Sequence, residues 1–160
     1  MGTYFLDTSA IVKRYVPEPG HVWITTICDP LQGHKLYIAK VTLVEAVAAI
    51  CRRARENSIT ITDRDRLIGI FRRDAQRAYG IRLITNALCD YAGNLCRLHP
   101  LRTYDAIQLA CALHLFNDAL INQAPVPIFV SADINLVNIA STEGLSTVNP
   151  ANYPYTEGLR

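Results

Sequence analysis

The sequence contains no paired cysteine motif. Its five cysteines, Cys28, Cys51, Cys89, Cys96 and Cys111, are odd in number, and no two form a C-x-x-C. That speaks against a disulfide framework, and because most of the five fall on apolar helical faces they are expected to be reduced core residues. The four histidines, His21, His34, His99 and His114, are scattered, with no H-x-H and no H-E-x-x-H, so a zinc site is not expected. Charge interrupts every long apolar run before a membrane span is complete, and no membrane association is expected. A basic n-region and an A-x-A-like cleavage site are missing at the start, where Asp7 sits inside what would be the apolar core of a leader. The expected setting is the cytoplasm. No G-x-x-x-x-G-K-[ST] supports a P-loop nucleotidase, and no D-x-D follows the first apolar run, as a dehalogenase-like phosphatase would require. Internal repeats, low-complexity segments and linkers are also absent.

What remains is a globular composition. The chain has 160 residues, half of them hydrophobic, and a slightly positive mean hydropathy. This is enough to bury a real core, and a single domain over 1–160 is expected, with an irregular tail at about 149–160. A net charge of +2 argues for no partner by itself. Its distribution says more. Half of all Lys and Arg lie in one stretch, as Arg52, Arg53, Arg55, Arg64, Arg66, Arg72, Arg73 and Arg77. All are arginine, whose planar fork suits phosphate. Two readings stand open: a solvated face paired with Asp63, Asp65 and Asp74, or a surface for a phosphate backbone with Arg52, Arg66, Arg73 and Arg77 as RNA contacts.

Residues 4–6 form a short apolar run that delivers Asp7 to the end of a buried strand. Thr8 or Ser9 is placed to cap the helix expected over 8–15, which Pro17 and Pro19 stop. A helix over 20–28, a strand over 36–39 and a strong helix over 41–57 follow. Periodicity then predicts a helix over 62–79 ended by Gly80, a strand over 81–84 and a helix over 85–98. Thr103 is expected to cap an almost wholly apolar helix over 104–116, and a loop covers 117–127. A strand over 127–130, a helix over 134–143 and a strand over 145–148 complete the alternation. The pattern is α/β with a mainly parallel sheet.

Four acids stand out against this frame. Asp7 and Asp133 repeat one arrangement, an apolar strand followed by an acid and a helix. Asp105 opens a buried helix. Glu45 has the spacing of a capping box with Thr42, yet it shares a face with Val41, Ala48 and Arg52, whose small neighbour leaves room for a cleft. In an open parallel sheet the carboxyl ends of the strands line the ligand crevice. Converged there, four carboxylates cannot all stay ionised unaided; they take up protons or bind cations. An all-oxygen set selects Mg²⁺ or Mn²⁺. Such a site suits in-line attack on a phosphodiester, with one metal or two about 4 Å apart. Ser9 and Ser131 are placed to hold a water by hydrogen bonding.

The segments LDTSAIVKRYVPEPG, VTLVEAVAAI, LRTYDAIQLACALHL and FVSADINLVNIASTEGLSTVNP run in this order nearly from end to end. Together they resemble PIN-domain proteins, closest to the VapC-type ribonuclease toxins of toxin–antitoxin pairs. The resemblance implies a three-layer α/β/α domain with a central parallel sheet and cleavage of RNA dependent on Mg²⁺ or Mn²⁺. It places the family's metal ligands on Asp7, Asp105 and Asp133, with Ser9 after the first. Glu45 falls where the family has a ligand or a group that orients the attacking water. It also implies a homodimer and an antitoxin partner that covers the acidic pocket. An RNA-processing PIN nuclease that is not a toxin stands as one alternative. The other is a non-catalytic RNA-binding module, against which the presence of all four acids argues.

Overall fold

Strands of three to five residues bury too little alone, so they are stable only when paired and covered on both faces. The computed structural model describes residues 1–153; the expected tail beyond them, 154–160, lies outside the described residues. Among the described residues five strands, β1 (Thr3–Leu6), β2 (Lys35–Ala39), β3 (Tyr79–Arg82), β4 (Pro127–Val130) and β5 (Ser146–Val148), form one sheet in the order β3-β2-β1-β4-β5. Every pairing is parallel. The chain moves outward from β1 to β3 and then returns to place β4 on β1's other side. That reversal leaves a crevice at the carboxyl ends of β1 and β4. Their register, Leu6 opposite Val130, sets Asp7 and Ser131 side by side as each strand ends.

Among the described residues seven helices cover the sheet: α1 (Thr8–Ile11), α2 (His21–Ile27), α3 (Thr42–Arg55), α4 (Ile61–Arg77), α5 (Asn86–Leu98), α6 (Thr103–Ile121) and α7 (Ile134–Thr142). Successive strand residues point to opposite faces. Leu6, Leu36 and Ile38 therefore meet Ile11, Ile24, Ile50 and Phe71 from the first four helices, while Phe5 and Phe129 meet Leu95, Leu109 and Leu136 from the last three. This is a three-layer α/β/α fold, and its sheet is parallel throughout.

Several local expectations give way to tertiary contacts. The helix expected over 8–15 is α1 followed by a 3-10 turn, Val12–Arg14, which tightens before Pro17. Its cap is neither Thr8 nor Ser9 but Asp7. Gly80 does not stop α4; it lies inside β3, where a Cβ would sit 2.5 Å from the Tyr37 ring. That close approach, and no positive φ, is what glycine serves there. α6 continues past Phe116 to Ile121 because Ala119 returns to the buried side and Asp118 pairs with Arg82 of β3 at 2.5 Å. Thr103 is the first helical residue of α6 and not its cap, a position held by Arg102 without a side-chain bond. Of the cysteines, all free, only Cys28 and Cys111 are buried; Cys89 and Cys96 are exposed. The expected tail carries a 3-10 turn, Pro150–Asn152, against Gly20. There φ is +91°, and a Cβ would fall 2.6 Å from the Pro150 carbonyl oxygen. Among the described residues no helix is long and apolar enough to cross a membrane.

Candidate active site

Asp7 leaves β1 in extended backbone and folds its carboxylate back over α1, where Oδ1 accepts from the Ser9 amide at 2.6 Å. Oδ2 accepts from the Ser9 hydroxyl at 3.0 Å and from the Ser131 hydroxyl. Both serines are held in turn, since Ser9 Oγ accepts from the Ala132 amide at 2.8 Å and Ser131 Oγ from the Asp133 amide at 3.1 Å. The β1 and β4 ends are thus stitched together around one buried carboxyl. Burial pushes the Asp7 pKa up to about 6, against the lowering effect of Ser131 and Ser9; the Glu45 charge adds to the rise.

Glu45 makes no capping box. The α3 N-cap is Val41, without a side-chain bond, because the Glu45 carboxylate is engaged across the layer. Its Oε2 accepts from Thr8 Oγ1 at 2.7 Å and from Gln108 Nε2 at 2.8 Å. Gln108 Nε2 also approaches Thr8 Oγ1 and Thr42 Oγ1, each at 2.9 Å. Thr42 and Gln108 are buried, and the Gln108 carbonyl oxygen has no partner among the described residues. A buried amide with one end unsatisfied is costly, and what it secures here is Glu45. From sequence, Thr8 and Thr42 are expected only in capping roles, and Gln108 does not stand out. The one available signal was that Gln108 stands three residues after Asp105, on the same face of an otherwise apolar helix.

Asp105, in the first turn of α6, is half-buried. Its pKa is raised, first by burial and then by the Asp133 charge, with Glu45 adding to it and the nearby Arg102 guanidinium opposing. Asp133 is exposed and caps α7, accepting from the Asn135 amide at 2.9 Å and the Leu136 amide at 3.3 Å. Asp7, Glu45, Asp105 and Asp133 all line one cleft of about 590 Å³, together with Thr8, Ser9, Ala48 and Arg52.

A family model for the PIN domain matches residues 4–122. The chain belongs to the PIN-domain family. The matched span holds Asp7, Glu45 and Asp105, while Ser131 and Asp133 follow it. Among solved structures, FitAcB from Neisseria gonorrhoeae superposes with a TM-score of 0.54 at 13% identity, covering 94% of this chain and 99% of that one. A PilT N-terminus domain protein from Sulfolobus solfataricus gives a TM-score of 0.44 at 12% identity, over 94% and 88% of the two chains. No curated protein matches the sequence.

In this PIN domain the arginines divide. Arg52, Arg53, Arg55 and Arg102 line the acidic cleft with Lys13. Lys13 and Arg53 are both committed to Glu18, at 3.3 and 3.0 Å. Arg66, Arg73 and Arg77 stand on α4 and are not among the lining residues; Arg66 pairs with Asp63 at 3.3 Å. Among the described residues no three His, Cys, Asp or Glu side chains form a ready-made metal site. The donor chemistry still fits a hard divalent cation. Five carboxylates line the cleft, Glu18 being paired with Lys13 and Arg53, and the buried Asp7 would gain most from a compensating charge.

Proposed function

We propose that this PIN-domain protein is a divalent-metal-dependent endoribonuclease that hydrolyses RNA phosphodiester bonds. The observation that carries the reading is the convergence of Asp7, Glu45, Asp105 and Asp133 on one cleft at the carboxyl ends of β1 and β4. Asp7, Asp105 and Asp133 would hold Mg²⁺ or Mn²⁺, which when bound supplies Lewis-acid charge for the phosphate and acidifies water. Ser9 and Ser131 fix both Asp7 oxygens toward that role. Glu45, anchored on one oxygen by Thr8 and Gln108, orients water for in-line attack or completes the ligand set. The sequence resemblance to VapC proteins supports a role as the toxin of a toxin–antitoxin pair, acting as a homodimer in the cytoplasm.

The test is RNA cleavage by purified wild type with Mn²⁺, by wild type with EDTA, and by an Asp105→Asn protein prepared identically. Cleavage by wild type with metal alone is expected. Equal cleavage by Asp105→Asn would mean a contaminating nuclease and sink the reading. Growth arrest on expression, relieved by Asp105→Asn, is the outcome expected of a toxin.

A further inference from the structure

Cations as well as acids line the cleft. A polyanionic strand drawn toward these carboxylates meets repulsion that falls off only slowly with distance in a partly desolvated cleft. Counter-charge on the same walls would add to that of the divalent cation in holding the strand. Of the cations that line the cleft, Lys13 and Arg53 are spent on Glu18. Arg52, Arg55 and Arg102 are exposed and make no ion pair with any described residue. They come from two directions. Arg52 stands two helical turns beyond Glu45 on α3, about 10 Å along its axis, and Arg55 one turn further. Arg102 precedes α6 and stands beside Asp105. The acids thus share their cleft with uncommitted guanidinium groups from two elements, each able to grip a phosphate bidentately.

Building on the nuclease reading, we infer that Arg52, Arg55 and Arg102 hold the backbone phosphates that flank the scissile bond of a single-stranded RNA. The arginines of α4 take no part. Arg73 and Arg77 are equally exposed, and Arg66 is paired with Asp63, but all three lie outside the cleft. Contacts of this kind carry no base information and show themselves in the salt dependence of binding.

The experiment measures anisotropy of a fluorescein-labelled single-stranded RNA across a salt series, in Ca²⁺ so that the acidic cleft is compensated. Three proteins are compared with wild type: Arg52→Gln/Arg55→Gln/Arg102→Gln, the same positions changed to Lys, and Arg66→Gln/Arg73→Gln/Arg77→Gln. Circular dichroism checks each fold. The cleft-side glutamine variant should bind about tenfold or more weakly, with its log–log salt slope shallower by about 2, since each single-strand phosphate contact contributes about 0.7. The lysine variant should keep the slope, and the α4 variant should match wild type. Wild-type affinity in the cleft-side glutamine variant overturns the assignment and gives those arginines to another anion, such as the carboxylates of a protein partner. Weakened binding in the α4 variant overturns it equally. Wild type that binds and cleaves no RNA removes the nuclease reading itself, a different failure.

Discussion

Asp7 carries an electrostatic cost that a single substitution can expose. Its carboxyl titrates at about 6 in the fold against an ordinary value of 3.8. Between those values the native state holds a proton that the unfolded chain has released, so metal-free stability falls as pH rises through that window. Above it the full cost applies, of order 2–3 kcal/mol. Asp7→Asn should therefore be about 1–3 kcal/mol more stable than wild type near pH 7.5 in EDTA and gain nothing near pH 4. Denaturant melts at the two pH values check this, and an equal difference at both would show that burial is not the cause. Under the proposed function the same substitution abolishes cleavage. Gln108 is the complementary case, a residue that touches Glu45 and not the cleft. Gln108→Leu removes the donor to Glu45 and the orphaned carbonyl together, so stability should hold while cleavage falls about 10–100-fold, the usual cost of losing a supporting hydrogen bond at such a site. Gln108→Glu, which sets an acid against Glu45, should shift the pH–rate profile as well. Unchanged kinetics in both variants would assign Gln108 to packing alone.

At the scale of elements, β1–α1 and β4–α7 are two copies of one device, a strand whose terminal acid caps the next helix. Capping and chemistry overlap at Asp133, and two substitutions separate them. Asp133→Asn keeps an acceptor for the Asn135 and Leu136 amides and should melt within a few tenths of a kcal/mol of wild type, whereas Asp133→Ala should lose about 1 kcal/mol. Both should cleave poorly if the charge serves the proposed reaction. Thermal melts and a cleavage assay on the pair distinguish the roles; full activity in Asp133→Asn would leave only the cap. α3 shows the opposite outcome. Thr42 and Glu45 have the spacing of a capping box, and the box is not formed, since the far stronger demand is to satisfy a carboxylate among Thr8 and Gln108 inside the fold.

The described residues are held by a sheet of five short strands, so its central side chains carry much of the stability. Phe5 and Phe129 are fully buried and stacked 6.0 Å apart between β1 and β4, directly beneath the strand ends that carry Asp7 and Ser131. Phe129→Ala should cost about 3–5 kcal/mol, a large part of the roughly 5–15 kcal/mol of a typical domain, and loosen the cleft with it. Phe129→Leu should cost much less, and urea midpoints for the two measure the gap; equal midpoints would mean that the stack contributes little. The α/β alternation, the strand positions to within two residues and the four acids were all legible in the sequence by itself. Strand and helix periodicity is local, and a lone acid ending an apolar run is conspicuous wherever it sits. Only the tertiary structure decided that the sheet is parallel throughout and that β4 returns beside β1. The same holds for Asp7 as the cap of α1, Gln108 as the holder of Glu45, and Arg52, Arg55 and Arg102 as arginines that line the acidic cleft. Each of these depends on groups far apart in the chain, and a hydrogen bond or a charge acts through distance in space, which periodicity does not record.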